Sequence, residues 1–174
     1  LFDFPLPFAP SFYKIDLSEV PILIGCFAMG PAAGIIIEAM KILLNFIISG
    51  TVTAGVGELA NFAIGCSMVL PAGLIYRYHK TRKNAVLGMA AGTLVMAAIG
   101  GLLNAFVLLP AYAALFGGMD AIIGMGTAVN KNITSVQSFV LLSVVPFNLV
   151  KGVIVSLVTF LLYKHVSRVL IHNA

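Results

Sequence analysis

The stretch FVLLSVVPFNLVKGVIVSLVTFLLY, residues 139–163, is apolar over almost its whole length, yet an asparagine and a lysine lie near its middle. It exceeds the roughly 20 residues that a helix needs to cross the hydrocarbon core of a bilayer. Asn148 and Lys151 are three residues apart, so they project from nearly the same face of a helix. Because a lysine at membrane depth costs on the order of a few kcal/mol, we interpret Lys151 as a functional residue.

The composition of the whole chain is that of a membrane protein. Of its 174 residues, 60% are hydrophobic and 9% are charged, and the mean hydropathy is +1.08. Soluble domains carry about 25% charged residues. The apolar runs are continuous, without the alternation that a membrane β-barrel requires. We therefore predict an all-α membrane protein in which residues 1–174 form a single membrane-embedded domain.

Turn-forming and charged segments divide the apolar sequence into five runs. GPAAG, residues 30–34, is expected to form the first turn, and residues 111–138 a loop with a short helix after Pro110. The predicted spans are residues 17–29, 32–48, 59–76, 85–109 and 139–163.

Basic residues predict the orientation of these spans. One short loop contains four basic residues, Arg77, Lys80, Arg82 and Lys83. The positive-inside rule assigns this loop to the cytoplasm. We expect a multi-pass protein of the plasma membrane. The C-terminus follows two spans later and falls on the same side. Residues 1–16, 49–58 and 111–138 are then external.

Polar residues inside the spans share one depth in this topology. Glu58, Asn61, Asn104, Asn148 and Lys151 come from three spans and all fall just below the outer surface, as in a ligand pocket that opens outward. Two alternatives remain open: asparagines also join membrane helices at about 0.6 kcal/mol each, and lysine can extend to the interface.

A second polar group lies on the second predicted span. Glu38 and Lys41 are three residues apart, which favours a structural ion pair. We expect this pair to serve folding more than ligand binding.

Sequence signatures of an enzyme are absent. The chain contains no H-E-x-x-H, no G-x-S-x-G and no His/Cys cluster, so we predict neither catalysis nor a metal site. Cys26 and Cys66 lie in apolar runs and are interpreted as packing residues. Nucleic acid is not expected as a partner, since the basic residues are concentrated in one loop. The lipid bilayer is the partner that the composition implies.

Three segments carry a resemblance to a known family. FPLPFAPSFYKIDLSEVPILIGCFAMGPAAGII (4–36), LNAFVLLPAY (103–112) and VVPFNLVKGVIVSLVTFLLY (144–163) resemble the riboflavin-specific S components of energy-coupling-factor (ECF) vitamin transporters. The resemblance implies a six-helix bundle, with five helices and the end of the first in this sequence and most of the first preceding Leu1. It also implies a riboflavin site near the outer face, and import driven by a transmembrane coupling subunit with two ATPase subunits.

The resemblance assigns roles to individual residues. Asn104, Asn148 and Lys151 match the polar riboflavin contacts, and the lid over the vitamin corresponds to Phe12, Tyr13, Lys14 and Ile15. Asparagine offers a donor and an acceptor to the carbonyl and N–H edge of the flavin ring, and lysine adds donors. Apolar neighbours such as Phe106 and Phe147 are expected to cover the ring faces. The resemblance implies that riboflavin is a transported ligand, and no cofactor is expected.

Other functions remain open at the level of the sequence. An S component for another vitamin, such as the anionic biotin, is compatible with Lys151. A self-sufficient secondary carrier or channel and a purely structural scaffold are further alternatives. Small-x-x-x-small pairs at Gly30/Gly34 and Gly88/Gly92 are candidate docking points for the coupling subunit. The competing interpretation is that these glycines only pack the bundle internally.

Overall fold

The computed structural model describes residues 3–5, 10, 13–51 and 53–171, with the backbone alone for 3–5, 14 and 164–171. A short antiparallel pair of strands, β1 (Asp3–Pro5) and β2 (Lys14–Asp16), precedes the helices. The helices that follow are α1 (Glu19–Met29), α2 (Pro31–Ser49), α3 (Val56–Tyr78), α4 (Arg82–Leu103), α5 (Leu109–Leu115), α6 (Met119–Val129), α7 (Val136–Phe139) and α8 (Val145–Ile171).

The expectation of an all-α membrane protein is confirmed. Within the described residues, four helical segments are long and apolar enough to cross a membrane: 31–49, 56–78, 82–115 and 136–163. The first predicted span forms only the 11-residue α1, which at 1.5 Å per residue is about 16 Å long and shorter than the hydrocarbon core. The short helix expected within residues 111–138 is present as α6.

The prediction that the fourth span stops at Pro110 is wrong. A π-helical turn at Asn104–Leu108 connects α4 to α5, and the helical segment continues to Leu115. Pro110 lies in the first turn of α5. Its missing N–H and fixed φ are tolerated at that position.

Glycines allow neighbouring helices of the bundle to pack with their backbones in contact. A Cβ on Gly88 would lie 2.7 Å from the carbonyl oxygen of Ala72, and one on Gly92 would lie 2.3 Å from that of Met68. These two contacts join α4 to α3. Gly34 of α2 packs against side chains instead, since an added Cβ would lie 2.6 Å from Cγ1 of Val69 in α3 and 2.8 Å from Cβ of Cys26 in α1.

The proposed docking role of these glycines therefore needs correction. Gly34, Gly88 and Gly92 are buried between helices of this chain, so they are not accessible to a coupling subunit. The internal-packing interpretation accounts for them. Gly30 is different, because it has a φ of 102° and no atom within 4 Å of an added Cβ. It forms the turn between α1 and α2, where glycine is favoured by the left-handed φ.

The β1–β2 ladder positions the segment before α1 over the bundle. Ile15 pairs with Phe4, and Lys14 pairs with Pro5. Ile15 is buried against Phe147 of α8. The two strands thus hold residues 13–16 over one end of the helix bundle. The basic 77–83 loop lies at the other end.

Candidate functional site

Asn104 is buried at the junction between α4 and the π turn. Its Nδ2 donates a hydrogen bond to the carbonyl oxygen of Gly100 at 2.8 Å. Its Oδ1 accepts a hydrogen bond from the hydroxyl of Tyr13. Asn104 therefore joins the segment before α1 to the membrane-embedded helices.

Asn148 lies beside Asn104 because both contact Gly100. The Nδ2 of Asn148 donates to the carbonyl oxygen of Val144 at 3.0 Å. An added Cβ on Gly100 would lie 2.8 Å from that same Nδ2. A larger residue at this position would displace the Asn148 amide from its present place. In the described part of the chain no other group hydrogen-bonds to this amide, so its Oδ1 and second N–H can accept further partners.

Each asparagine is adjacent to a π-helical turn. The first turn begins at Asn104, and the second, Val140–Val144, ends at the residue whose carbonyl accepts from Asn148. Such turns are rare and occur frequently at functional sites. In both cases a proline, Pro110 or Pro146, is the second residue after the turn.

These two prolines are the sequence feature that accompanies the π turns. A proline inside a helix donates no hydrogen bond to the carbonyl four residues earlier and clashes with it. A π turn just before the proline shifts the hydrogen-bond register by one residue. The shift leaves the helix continuous and changes the direction of the side chains beside it.

Aromatic and aliphatic side chains form one wall of the site. The ring of Tyr13 packs against Phe147, with 5.2 Å between centroids, and against Phe139 at 6.5 Å. Ile15 covers Phe147 from the same side. Burial raises the pKa of the Tyr13 hydroxyl, so the hydroxyl stays protonated and remains a donor to Asn104.

Lys151 is held in a buried ionic cluster. Its Nζ lies 3.4 Å from Oε1 of Glu19, which in turn lies 2.9 Å from Nζ of Lys41. Lys41 also lies 2.7 Å from Oε1 of Glu38, as the spacing of that pair predicts. The side chain of Lys151 is 14% exposed. Its inward pairing excludes the interpretation that it extends to the membrane surface.

Glu19 is the member of this cluster that the sequence pattern did not predict. It is 2% exposed at the start of α1. Local sequence gave no indication of its partners, because they lie on α2 and α8. An acidic residue followed by a purely apolar helix is the only available signal.

Other predicted site residues lie apart from this group. Phe106 is 76% exposed on the outer surface of the bundle and cannot cover a ring between the helices. Asn61 is also exposed, and Glu58 accepts a hydrogen bond from Thr51 at 3.0 Å. Phe12 lies outside the described residues, and only the backbone of Lys14 is described. The structure thus brings together Tyr13, Ile15, Asn104, Phe147, Asn148 and Lys151.

A family comparison identifies the class of protein. Residues 1–163 match the family described as "ECF transporter, substrate-specific component". The chain belongs to this family. Members of this family are transport subunits and not enzymes. The long apolar helices of this chain make it an integral membrane protein.

Individual relatives resemble nearly the whole chain. The riboflavin transporter RibU of Staphylococcus aureus (strain TCH60) is 35% identical over 96% of this chain and 82% of its own length. The riboflavin transporter FmnP of Bacillus subtilis (strain 168) is 32% identical over 94% and 81%. A solved structure, described as the S component of a bacterial ECF transporter, superposes with a TM-score of 0.73 at 36% identity, covering 97% of this chain and 86% of that one.

Proposed function

We propose that this chain is the riboflavin-binding subunit of an ECF-type importer. The observation that carries the proposal is the pair of buried amides, Asn104 and Asn148, held together across Gly100 beside the Tyr13–Phe147 wall. Two relatives with more than 30% identity are named riboflavin transporters. Flavin rings need this combination of an apolar, aromatic surface and a few oriented polar groups.

The amides match the chemistry of the flavin edge. That edge carries two carbonyl acceptors and an N–H donor between them. Asn148 offers an Oδ1 acceptor and an N–H donor, and Asn104 offers the Oδ1 that Tyr13 engages here. Lys151 supplies further donors for a carbonyl or ring nitrogen. In this proposal the flavin displaces the Tyr13 hydroxyl from Asn104, and residues 13–16 close over the bound ring.

Energy for import comes from partner subunits in this proposal. An equilibrium binding site moves a ligand only as far as its differential affinity for two states allows. The sequence contains no nucleotide-binding motif. We therefore assign ATP hydrolysis to two ATPase subunits, which act on this chain through a transmembrane coupling subunit.

The proposed orientation follows from the basic loop. Arg77, Lys80, Arg82 and Lys83 are exposed at one end of the bundle, and the positive-inside rule assigns that end to the cytoplasm. Asn104 terminates α4 at the opposite end from Arg82. The riboflavin site then faces the outside, and the C-terminus is cytoplasmic.

Ligand titration of the purified chain tests the function. We expect flavin fluorescence to be quenched saturably by riboflavin binding, with no competition from biotin. Absence of saturable riboflavin binding contradicts the proposal. Uptake by vesicles that contain this chain alone would instead indicate a self-sufficient carrier.

A further inference from the structure

Four charged side chains meet inside the bundle next to the riboflavin site proposed above. Glu19 belongs to α1, Glu38 and Lys41 belong to α2, and Lys151 belongs to α8. Both carboxylates are almost fully buried, at 2% and 0% exposure. Gly65 of α3 makes room for the second carboxylate, since an added Cβ would lie 2.2 Å from Oε1 of Glu38.

Glu19 occupies the central position of this cluster. Its Oε1 is 2.9 Å from Nζ of Lys41 and 3.4 Å from Nζ of Lys151, whereas Glu38 pairs with Lys41 and lies beside the carboxylate of Glu19. Its other oxygen, Oε2, is buried without a hydrogen bond among the described residues. Glu19 is therefore the carboxylate that links the structural pair on α2 to the lysine of the ligand site.

We propose that Glu19 is a positioning and specificity-determining residue, which orients Lys151 and cancels its charge so that the site selects a neutral flavin over an anionic one. The inference rests on the proposed function. An ammonium group has three N–H donors. The Glu19 contact uses one of them and leaves two for carbonyl oxygens or ring nitrogens of the ligand.

Charge balance gives the reason for selectivity. Glu19 is the carboxylate that lies beside Lys151, so it compensates the charge of that lysine at the point where the ligand would bind. Buried charges without partners are strongly unfavourable, and removal of Glu19 exposes the ligand site to the uncompensated charge of Lys151. The positive charge of Lys151 then attracts a negatively charged ligand more strongly than it does in the wild type.

The cluster contains its own matched control. Glu19→Gln and Glu38→Gln each replace one buried carboxylate with an isosteric amide, and both remove a partner of Lys41. Only Glu19→Gln also removes the partner of Lys151. A general loss of stability affects both variants, whereas a change in ligand selectivity affects Glu19→Gln alone.

The experiment compares riboflavin with riboflavin 5′-phosphate as the anionic probe, using fluorescence titration of the purified chain in detergent. We expect the wild type and Glu38→Gln to prefer riboflavin by the same ratio of dissociation constants. In Glu19→Gln that ratio should fall by about tenfold, and Glu19→Asp should restore most of it. If Glu19→Gln does not fold, the charge-balanced Glu19→Gln/Lys41→Met variant carries the same expectation.

Each outcome has one meaning. An unchanged ratio in folded Glu19→Gln or in the double variant overturns the assignment of Glu19, while riboflavin binding by the wild type leaves the proposed function intact. An equal change in Glu19→Gln and Glu38→Gln also overturns it, because the effect is then structural. Failure of the wild type to bind riboflavin overturns both proposals.

Discussion

Gly100 of α4 and Asn148 of α8 are in direct contact, because a Cβ on Gly100 would lie 2.8 Å from Nδ2 and 3.2 Å from Cγ of Asn148. The carbonyl oxygen of Gly100 also accepts a hydrogen bond from Asn104. One glycine thus holds both candidate ligand-binding amides in place.

Gly100→Ala is expected to weaken riboflavin binding by displacing the Asn148 amide. Overpacking of this kind costs about 1–3 kcal/mol, and the rotation of Asn148 also removes a ligand contact. Titration with riboflavin measures the effect. The matched control is Gly101→Ala, whose added Cβ meets only valine methyl groups at 3.3 and 3.4 Å. Equal losses of affinity in the two variants would contradict the role of Gly100.

Asn104→Ala and Asn148→Ala are each expected to weaken riboflavin binding by about 1–3 kcal/mol, the usual cost when a buried polar partner is left unpaired. Isothermal titration measures the change. Asn61→Ala is the control, because Asn61 is an exposed asparagine of a neighbouring span. Wild-type affinity in both buried variants would remove these residues from the site.

Tyr13→Phe is expected to raise riboflavin affinity by about 0.5–1.5 kcal/mol, the net value of a typical hydrogen bond. The Tyr13 hydroxyl occupies Oδ1 of Asn104, and without it the flavin has no competitor for that acceptor. The ring still packs against Phe147. Tyr78→Phe serves as the control, since Tyr78 is 87% exposed. A loss of affinity in Tyr13→Phe would show that the hydroxyl instead contacts the bound ligand.

The sequence predicted the site to different degrees, for physical reasons. Asn104, Phe147 and Asn148 could be proposed from the sequence because polar or aromatic residues inside apolar runs are conspicuous. Local spacing alone predicted the Glu38–Lys41 pair. The Glu19–Lys151 contact joins residues 132 positions apart, so no local pattern reports it. Phe106 was assigned by residue type, but the direction of its side chain depends on the π turn that contains it.

The orientation of the chain remains a prediction that labelling can test. Lys80 and Lys131 are both exposed lysines in loops that the topology places on opposite sides. In a variant without Cys26 and Cys66, Lys131→Cys should react with a membrane-impermeant maleimide in intact cells, and Lys80→Cys should react only after lysis. The reverse pattern would invert the orientation and place the candidate site inside the cell.

Gly92→Ala is expected to lower the thermal stability of the bundle without a specific effect on coupling. The added methyl would lie 2.3 Å from the carbonyl oxygen of Met68, and a backbone atom on a packed helix cannot move aside as a side chain does. We expect a loss of about 1–3 kcal/mol, measured by thermal unfolding in detergent. Gly124→Ala is the control, because no atom lies within 4 Å of its added Cβ. A fully stable Gly92→Ala variant that binds riboflavin but fails in ATP-dependent uptake would instead restore the docking interpretation for this helix face.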